Sequence, residues 1–155
     1  MGARTNIRVA AMAAALALAA CAGPPPEQAE ADGPSFVSLN PCLDAILVEV
    51  AEPGQVLALS HYSRDPASSS MDPDIAKQFA ATGGSAEEVL ALRPDIVLAS
   101  SFIAPATKAA LERAGLRVET FGSPGSVEES LAQVRELAAL AGHEQAGAAL
   151  ARRIA

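Results

Sequence analysis

Apolar residues along this chain follow two spacings in turn. Short continuous runs such as Val56–Leu59 and Ile96–Ala99 are typical of strands that are covered on both faces. Leu43, Ile46 and Val50 instead recur at the spacing of a helix. The pattern predicts strands at 36–39, 56–59, 96–99 and 117–121, and helices at 41–50, 86–92, 105–114, 127–141 and 143–155, with one or two helical turns within 75–81. Because strands and helices alternate, we predict an α/β fold, a mostly parallel sheet flanked by helices on both faces.

The stretch from Gly83 to Phe102 constrains this prediction most strongly. Ser85 and Glu88 have the spacing of a capping box that starts a helix, as do Ser126 and Glu129 further along. Pro94 ends the first of these helices and favours an extended conformation at Arg93. We expect Val89, Leu90 and Leu92 to form the apolar face of that helix. A buried strand and then a polar loop, Ser100-Ser101-Phe102, should follow.

The first twenty residues have the features of an export signal. Arg4 and Arg8 form a basic start, and Val9–Ala17 is an apolar core too short to span a bilayer. The ending Leu18-Ala19-Ala20-Cys21 resembles the lipobox of bacterial lipoproteins, which implies cleavage before Cys21 and attachment of lipid to it. The alternative is an ordinary secretory signal in which Cys21 has no role. Residues 21–34 are rich in proline, alanine and acid, and we expect a disordered tether there.

The charge and cysteine content exclude some classes of protein. The net charge is −7, and removing residues 1–20 makes it −9 because two arginines and no acid are lost. Such an acidic chain is a poor partner for nucleic acid. Cys42 would be the only cysteine left besides Cys21, and we expect it to be partly buried at a helix start or paired with a missing part of the chain. One cysteine with His61 and His143, which are far apart in sequence, makes no metal cluster.

Candidate binding residues follow the predicted strands. Ligands of parallel sheets bind beyond the carboxyl ends of the strands. The aromatic residues Tyr62, Phe102 and Phe121 lie at or just past such ends, and although any one of them alone is better explained by packing, three of the five aromatic residues at this edge suggest a site. The predicted ligand-binding residues are Asn40, Ser60, His61, Tyr62, Arg64, Ser100, Ser101, Phe102 and Phe121. Together they predict a concave site with aromatic walls, neutral donors and one cation.

Four segments carry a resemblance to a known family: SLNPCLDAIL, PGQVLALSHYSRDP, GGSAEEVLALRPDIVLASS and the GLRVETF strand with its capped helix. They resemble the amino-terminal lobe of the cobalamin and ferric-siderophore periplasmic binding proteins of ABC importers. The resemblance implies a single Rossmann-like lobe at 35–142 and, at 143–155, the start of a rigid helix that leads to a second lobe. That second lobe is missing, so we expect a truncated form of a longer protein or an isolated lobe that binds weakly.

The resemblance also assigns roles to individual residues. Tyr62 matches a tyrosine that contacts ligand in cobalamin binders, and Glu87 matches a glutamate that docks on arginines of the membrane permease. The implied ligand is a corrinoid, a ferric siderophore or haem, and haem would take His61 or Tyr62 as an axial ligand. One departure is that the cobalamin binders carry a tryptophan near Ala81, whereas this chain has no tryptophan.

Three functions remain open on the sequence. The first is solute capture for an importer, by a non-enzymatic protein without a cofactor, lipid-anchored in the periplasm or at the cell surface. The second is a hydrolase that uses Ser60, His61 and Asp65, although these residues crowd one loop and lack a nucleophile-elbow motif. The third is a lipid-anchored domain derived from such a lobe that binds protein instead of solute.

Overall fold

The structure of the protein is a computed structural model, which describes residues 32–155. The predicted signal peptide, Cys21 and most of the predicted tether lie outside the described residues. The strands are β1 (Phe36–Ser38), β2 (Val56–Ser60), β3 (Ala81–Thr82), β4 (Ile96–Ser100) and β5 (Arg117–Phe121). The helices are α1 (Pro41–Val50), α2 (Pro73–Ala76), α3 (Ala86–Leu92), α4 (Pro105–Arg113), α5 (Val127–Ala141) and α6 (Glu144–Ile154), and Pro53–Gln55 and His61–Arg64 are short 3₁₀ turns.

The five strands form one sheet in the order β3-β2-β1-β4-β5, and every pair of neighbours is parallel. This confirms the predicted α/β fold with a Rossmann-like lobe. The chain moves outward from β1 to β3 on one side and from β4 to β5 on the other. The order of the strands therefore reverses between β1 and β4, and in such sheets the crevice beyond that point is the usual place for a ligand.

Two hydrophobic layers cover the sheet. Successive strand residues point to opposite faces, so Phe36 and Leu98 pack with α1, α5 and α6, whereas Val37 and Val97 pack with α3 and α4. These four side chains are fully buried. The continuous apolar runs in the sequence follow from this double coverage.

The last helix packs against two other helices. α6 packs on α5 and α1, and its Leu150 and Ala151 are buried in the larger core. Gly147 allows close contact, because a Cβ atom there would lie 2.3 Å from the Cβ atom of Ala138 on α5. Within the described residues, α1 and α5 therefore cover the apolar side of this helix.

A buried glutamine ties the base of the lobe together. The Gln55 amide nitrogen donates to the carbonyl oxygens of Pro34 and Ala141, at 3.1 and 3.0 Å. Its amide oxygen lies 2.8 Å from Nε2 of His143 and accepts a hydrogen bond from the amide of Glu52. Pro34, the last residue of the predicted tether, is therefore fixed to the lobe through its carbonyl group.

The predicted helix starts are confirmed, but both glutamates of the predicted capping boxes have other partners, which for Glu129 is the amide of Gly125. Ser85 and Ser126 accept hydrogen bonds from the amides of Glu88 and Glu129, as a capping serine should. The Glu88 carboxylate accepts instead from the Thr82 hydroxyl, at 2.9 Å. This hydrogen bond and the backbone amides around it lower the pKa of Glu88. The glutamate therefore links the start of α3 to the end of β3.

Four local predictions were wrong. Arg93 is left-handed, with φ 52° and ψ 53°, because it closes α3 and its amide still donates to Leu90. Only Val89 of the predicted apolar face is buried, whereas Leu90 and Leu92 are more than one-third exposed.

The region 75–81 contains just the end of the single turn α2, and Ala81 begins the edge strand β3. Cys42 is a free, exposed cysteine at the start of α1 and is not partly buried.

Candidate functional site

The carboxyl edge of the sheet brings together loops that are far apart in sequence. Because all strands are parallel, the segments after β1, β2, β4 and β5 leave the sheet on the same side. Asn40 follows β1 and Ser101 follows β4, on either side of the point where the strand order reverses. We call the segment His61–Arg64 after β2 the Tyr62 turn; it carries three of the predicted ligand-binding residues.

Hydrogen bonds give the Tyr62 turn a defined conformation. The Ser60 hydroxyl accepts from the amide of Tyr62, and the amide of Asp65 donates to the carbonyl oxygen of Tyr62 at 3.1 Å. The rings of His61 and Tyr62 lie with their centroids 4.0 Å apart and tilted by 35°. Half of the Tyr62 side chain is exposed to solvent. The turn thus presents two adjacent rings beyond the end of β2.

The backbone sets the tautomer of His61. Its Nδ1 lies 3.2 Å from the carbonyl oxygen of Thr82, and a carbonyl oxygen can only accept a hydrogen bond. Nδ1 therefore carries the proton. In the neutral ring this leaves the lone pair on Nε2, which is the arrangement that a metal-binding histidine requires.

Arg64 supplies the predicted cation. Its guanidinium group donates to the carbonyl oxygen of Phe79, at 2.7 Å, and the residue is exposed. In the described part of the chain, none of the salt bridges involves Arg64. The neighbouring Asp65 is occupied locally, because its carboxylate accepts from Ser68 and Ala67, and these hydrogen bonds lower its pKa.

The loop after β4 presents a third ring. The Ser100 hydroxyl accepts from the amide of Phe102 at 3.0 Å, and the amide of Ser101 donates to the carbonyl oxygen of Phe121 at 2.8 Å. These contacts leave Phe102 83% exposed. A large apolar ring held this far into solvent at a strand end is available to a ligand.

Other predicted site residues have mainly structural roles in this arrangement. Phe121 is 7% exposed and packs in the larger core, so its ring offers little surface to a ligand. Ser60 is 4% exposed, with its hydroxyl directed to the amide of Tyr62. Asn40 caps α1 by accepting from the amide of Cys42 at 2.8 Å.

One polar residue of this edge was missed. Asp44, in the first turn of α1, is fully buried beneath the Tyr62 turn. Its Oδ2 accepts from the amide of Ser60 at 2.9 Å and from the Ser63 hydroxyl at 2.6 Å. Burial raises the pKa of Asp44 to about 7, while the nearby hydroxyls of Ser38 and Ser63 and the amide of Ser60 act in the opposite direction. A signal was present, because Asp44 lies three residues before Leu47 on the face that α1 buries.

The arrangement does not form a hydrolase. Ser60 is occupied by Tyr62, Asp65 by Ser68 and Ala67, and His61 by Thr82, so the three side chains make no relay from nucleophile to base to acid. Among residues 32–155, no group of three or more histidine, cysteine or acidic side chains is placed to hold a metal ion. No helix of this part of the chain is long and apolar enough to cross a membrane.

The exposed rings of His61, Tyr62 and Phe102 lie beyond the carboxyl ends of β2 and β4, the edge at which parallel sheets of this kind bind their ligands. The family model described as "Periplasmic binding protein" matches residues 36–155. The chain therefore belongs to the periplasmic binding protein family. Its members are binding proteins rather than enzymes, and the predicted resemblance is confirmed.

Solved structures agree with this assignment. A periplasmic haem-binding protein from Pseudomonas aeruginosa is 26% identical, with a TM-score of 0.64 over 77% of this chain and 43% of that one. The periplasmic haem-binding protein BhuT, solved in complex with two haems, is 27% identical, with a TM-score of 0.63 over 79% of this chain and 46% of that one. The vitamin B12-binding protein BtuF of Vibrio cholerae, 19% identical with a TM-score of 0.62 over 77% of this chain and 46% of that one, shares the fold.

The chain spans less than half the length of these relatives. No curated protein sequence matches it significantly.

Proposed function

We propose that this chain is the amino-terminal lobe of the solute-binding component of an ABC importer, and that its solute is haem. Cobalamin and ferric siderophores are the other metal chelates that the family resemblance implies. The observation that carries the proposal is the exposed pair His61 and Tyr62, with ring centroids 4.0 Å apart on a hydrogen-bonded turn at the carboxyl edge.

The chemistry of this pair suits iron in a planar ligand. Nε2 of His61 has a free lone pair in the neutral ring, and the phenol oxygen of Tyr62 is a hard donor that suits ferric iron. Phe102 faces solvent beyond β4. β2 and β4 are separated by β1, so the two aromatic loops leave the sheet about 10 Å apart, which suits a broad ring better than a single ion. Two of the similar structures, at 26% and 27% identity, are haem-binding proteins.

Titration with haemin tests the proposal. We expect the purified protein to shift the haemin absorbance band, and Tyr62→Ala to weaken binding by about one to two decades through loss of a stacked ring. Tyr62→Phe and His61→Ala identify which side chain coordinates the iron. Only the variant that removes the coordinating group should change the absorbance spectrum of the haemin complex. A protein that ignores haemin but changes the spectrum of cyanocobalamin would show that the chelate is a corrinoid.

Delivery to a permease is the second part of the proposal. Glu87 is exposed on the first turn of α3, and the Thr82 contact occupies the adjacent Glu88. A free carboxylate at a rigid helix start is accessible to a cation on a partner surface. We propose that Glu87 makes this contact with the permease, and that residues 35–142 form the lobe while 143–155 begin the helix toward a second lobe.

The location of the protein is the third part. The basic start, short apolar core and Leu18–Cys21 ending support export by a signal at 1–20, a tether at 21–34 and a lipid anchor on Cys21, with the lobe in the periplasm or at the cell surface. Cys21→Ser should abolish labelling by a radioactive or alkyne fatty acid and move the protein out of the membrane fraction. Unchanged labelling would contradict the anchor.

A further inference from the structure

The buried carboxyl group of Asp44 holds both sides of the Tyr62 turn. One of its hydrogen bonds comes from Ser60, the last residue of β2, and the other from Ser63, within the turn. His61 and Tyr62 lie between these two donors. Both bonds reach the same oxygen, Oδ2, so a single atom fixes the two sides of the segment that carries the rings.

Stability alone does not account for a carboxyl group at this position. Asp44 is fully buried, its Oδ1 has no hydrogen-bond partner in the described part of the chain, and no cation pairs with it there. The groups that act on it are hydroxyls and an amide, from Ser38, Ser60 and Ser63. Burying a carboxyl group without a full set of partners is costly. Its two hydrogen bonds to the ends of the Tyr62 turn point instead to a role in geometry.

We infer that Asp44 is the positioning residue of the proposed ligand site: it holds the Tyr62 turn so that His61 and Tyr62 face the ligand together. This inference rests on the proposed function for the identity of the ligand, but the hold on the turn exists without any ligand. We call the two hydrogen bonds from Ser60 and Ser63 to Asp44 the Asp44 clamp. Tyr62 is held by this clamp below it and by the His61 ring beside it.

The clamp works with a neutral carboxyl group too. A proton on Oδ1, the oxygen without a partner, leaves Oδ2 free to accept from Ser60 and Ser63 as before. Asparagine has one oxygen that can take the place of Oδ2, whereas alanine has none. Asp44→Asn should therefore keep the turn in place, and Asp44→Ala should release it.

Tyrosine emission reads the turn directly, because Tyr62 is the only tyrosine of the chain and there is no tryptophan. The fluorescence anisotropy of the ligand-free protein should fall in Asp44→Ala and remain unchanged in Asp44→Asn. Ser63→Ala keeps the carboxyl group and deletes one of the two bonds, so it gives a partial fall even if Asp44→Ala fails to fold. Asp74→Ala, which removes an exposed carboxylate on α2 that pairs with Lys77, is the matched control.

Haemin titration of the same proteins gives the second readout. If the released turn spends about a tenth of its time in the binding geometry, affinity for haemin falls about tenfold in Asp44→Ala, with recovery in Asp44→Asn. Unchanged anisotropy and affinity in both Asp44→Ala and Ser63→Ala would overturn the inference. If anisotropy changes as expected while the unsubstituted protein ignores haemin, the clamp is supported and the haem proposal fails.

Discussion

Two carboxyl groups of this lobe show how environment decides what an acid does. Asp95 lies near the surface and its Oδ2 accepts from both the amide and the hydroxyl of Ser35, at 2.8 and 2.6 Å. These bonds favour the charged form and lower the pKa of Asp95. Asp44 is buried, and loss of solvent favours the neutral form strongly enough to raise its pKa to about 7. The charged carboxylate of Asp95 therefore binds Ser35 just before β1, whereas the carboxyl group of Asp44 keeps its proton up to about pH 7.

The shift at Asp44 predicts an unusual dependence of stability on pH. The folded protein keeps the proton up to about pH 7, whereas the unfolded chain loses it near the ordinary aspartate pKa of 3.8. The free energy of unfolding that comes from Asp44 is thus fully present below about pH 4 and is lost as the pH rises to about 7, by about 4 kcal/mol at most. Thermal melts of the protein and of Asp44→Asn between pH 4 and 8 measure this.

Comparison with the variant isolates Asp44 from the other acids. Asp65, Asp74, Glu88 and Asp95 have lowered pKa values, so they stabilise the fold at neutral pH and lose that effect only in acid. They are present in both proteins and cancel in the difference. The melting temperature of the unsubstituted protein should fall relative to Asp44→Asn as the pH rises. Parallel curves would contradict the raised pKa.

At the scale of single residues, the sequence pattern predicted the exposed rings of Tyr62 and Phe102 but not the Asp44 carboxyl group that holds the Tyr62 turn. Tyr62 and Phe102 follow strands, and aromatic residues past strand ends are visible in a linear pattern. Asp44 is on a helix, and its importance depends on Ser60 and Ser63 folding back over it. The burial of Phe121 likewise depends on α5, which follows it in the chain. The role of Asp44 and the burial of Phe121 both depend on contacts between elements that are distant in sequence, which a linear pattern does not show.

At the scale of elements, the contact between α5 and α6 depends on one small residue. A Cβ atom at Gly147 would lie 2.3 Å from the Cβ atom of Ala138, and a methyl group on a helix has no rotamer to escape. Gly147→Ala should gain about 1 kcal/mol of helix propensity but lose about 1–3 kcal/mol by overpacking, so we expect net destabilisation. Urea denaturation of the variant measures the balance.

An exchange of the two residues provides the control for Gly147. The double variant Ala138→Gly with Gly147→Ala keeps one methyl group at the contact and the same helix composition. It should recover most of the lost stability, because the overlap disappears. A single variant as stable as the unsubstituted protein would show that α6 shifts on α5 without cost.

The capped helix α3 carries a prediction about transport. Charge reversal at Glu87 should reduce uptake in cells while haemin binding and melting temperature stay nearly constant, since the side chain is exposed at the surface. Glu128 is the matched control, because it takes the same place after Ser126 on α5, which covers the opposite face of the sheet. Its reversal removes the same first-turn acid, worth about 0.3–1 kcal/mol of helix stability. Equal transport by Glu87→Arg and Glu128→Arg would contradict docking through Glu87.

Elements with strong local signals were predicted from the sequence, and those without them were not. α1, α3 and α5 begin at capping side chains, and Gly142 ends α5 in a left-handed conformation. β3 has only two residues, which is too short for an apolar pattern. Arg93 shows a competition between two rules: proline disfavours helical geometry before it, yet closing α3 requires a left-handed residue there. Arg93 adopts the left-handed conformation that closes α3 and not the extended one that proline favours.

The described residues, taken together, present one wall to the proposed ligand. The larger core is closed by α1, α5 and α6 and the smaller by α3 and α4, so the lobe is internally packed on both faces of the sheet. The carboxyl edge, with the Tyr62 turn and Phe102, is by contrast open. A good pocket buries most of the surface of its ligand, and an open edge cannot. Stability and affinity are therefore separate properties of these residues: both faces of the sheet are packed, whereas the carboxyl edge by itself does not enclose a ligand.

The last prediction follows from that separation. Residues 21–155, purified on their own, should melt cooperatively, because both hydrophobic layers are closed, yet bind haemin only in the micromolar range, because one wall of exposed rings desolvates only part of a planar ligand. Calorimetry and absorbance titration of the monomer measure the two quantities on one sample. Tyr62→Ala should lower the affinity and leave the melting temperature nearly unchanged, since half of that side chain is already exposed. Submicromolar binding by a monomer would contradict the prediction, and would mean that the edge formed by the Tyr62 turn and Phe102 encloses the ligand without a second lobe.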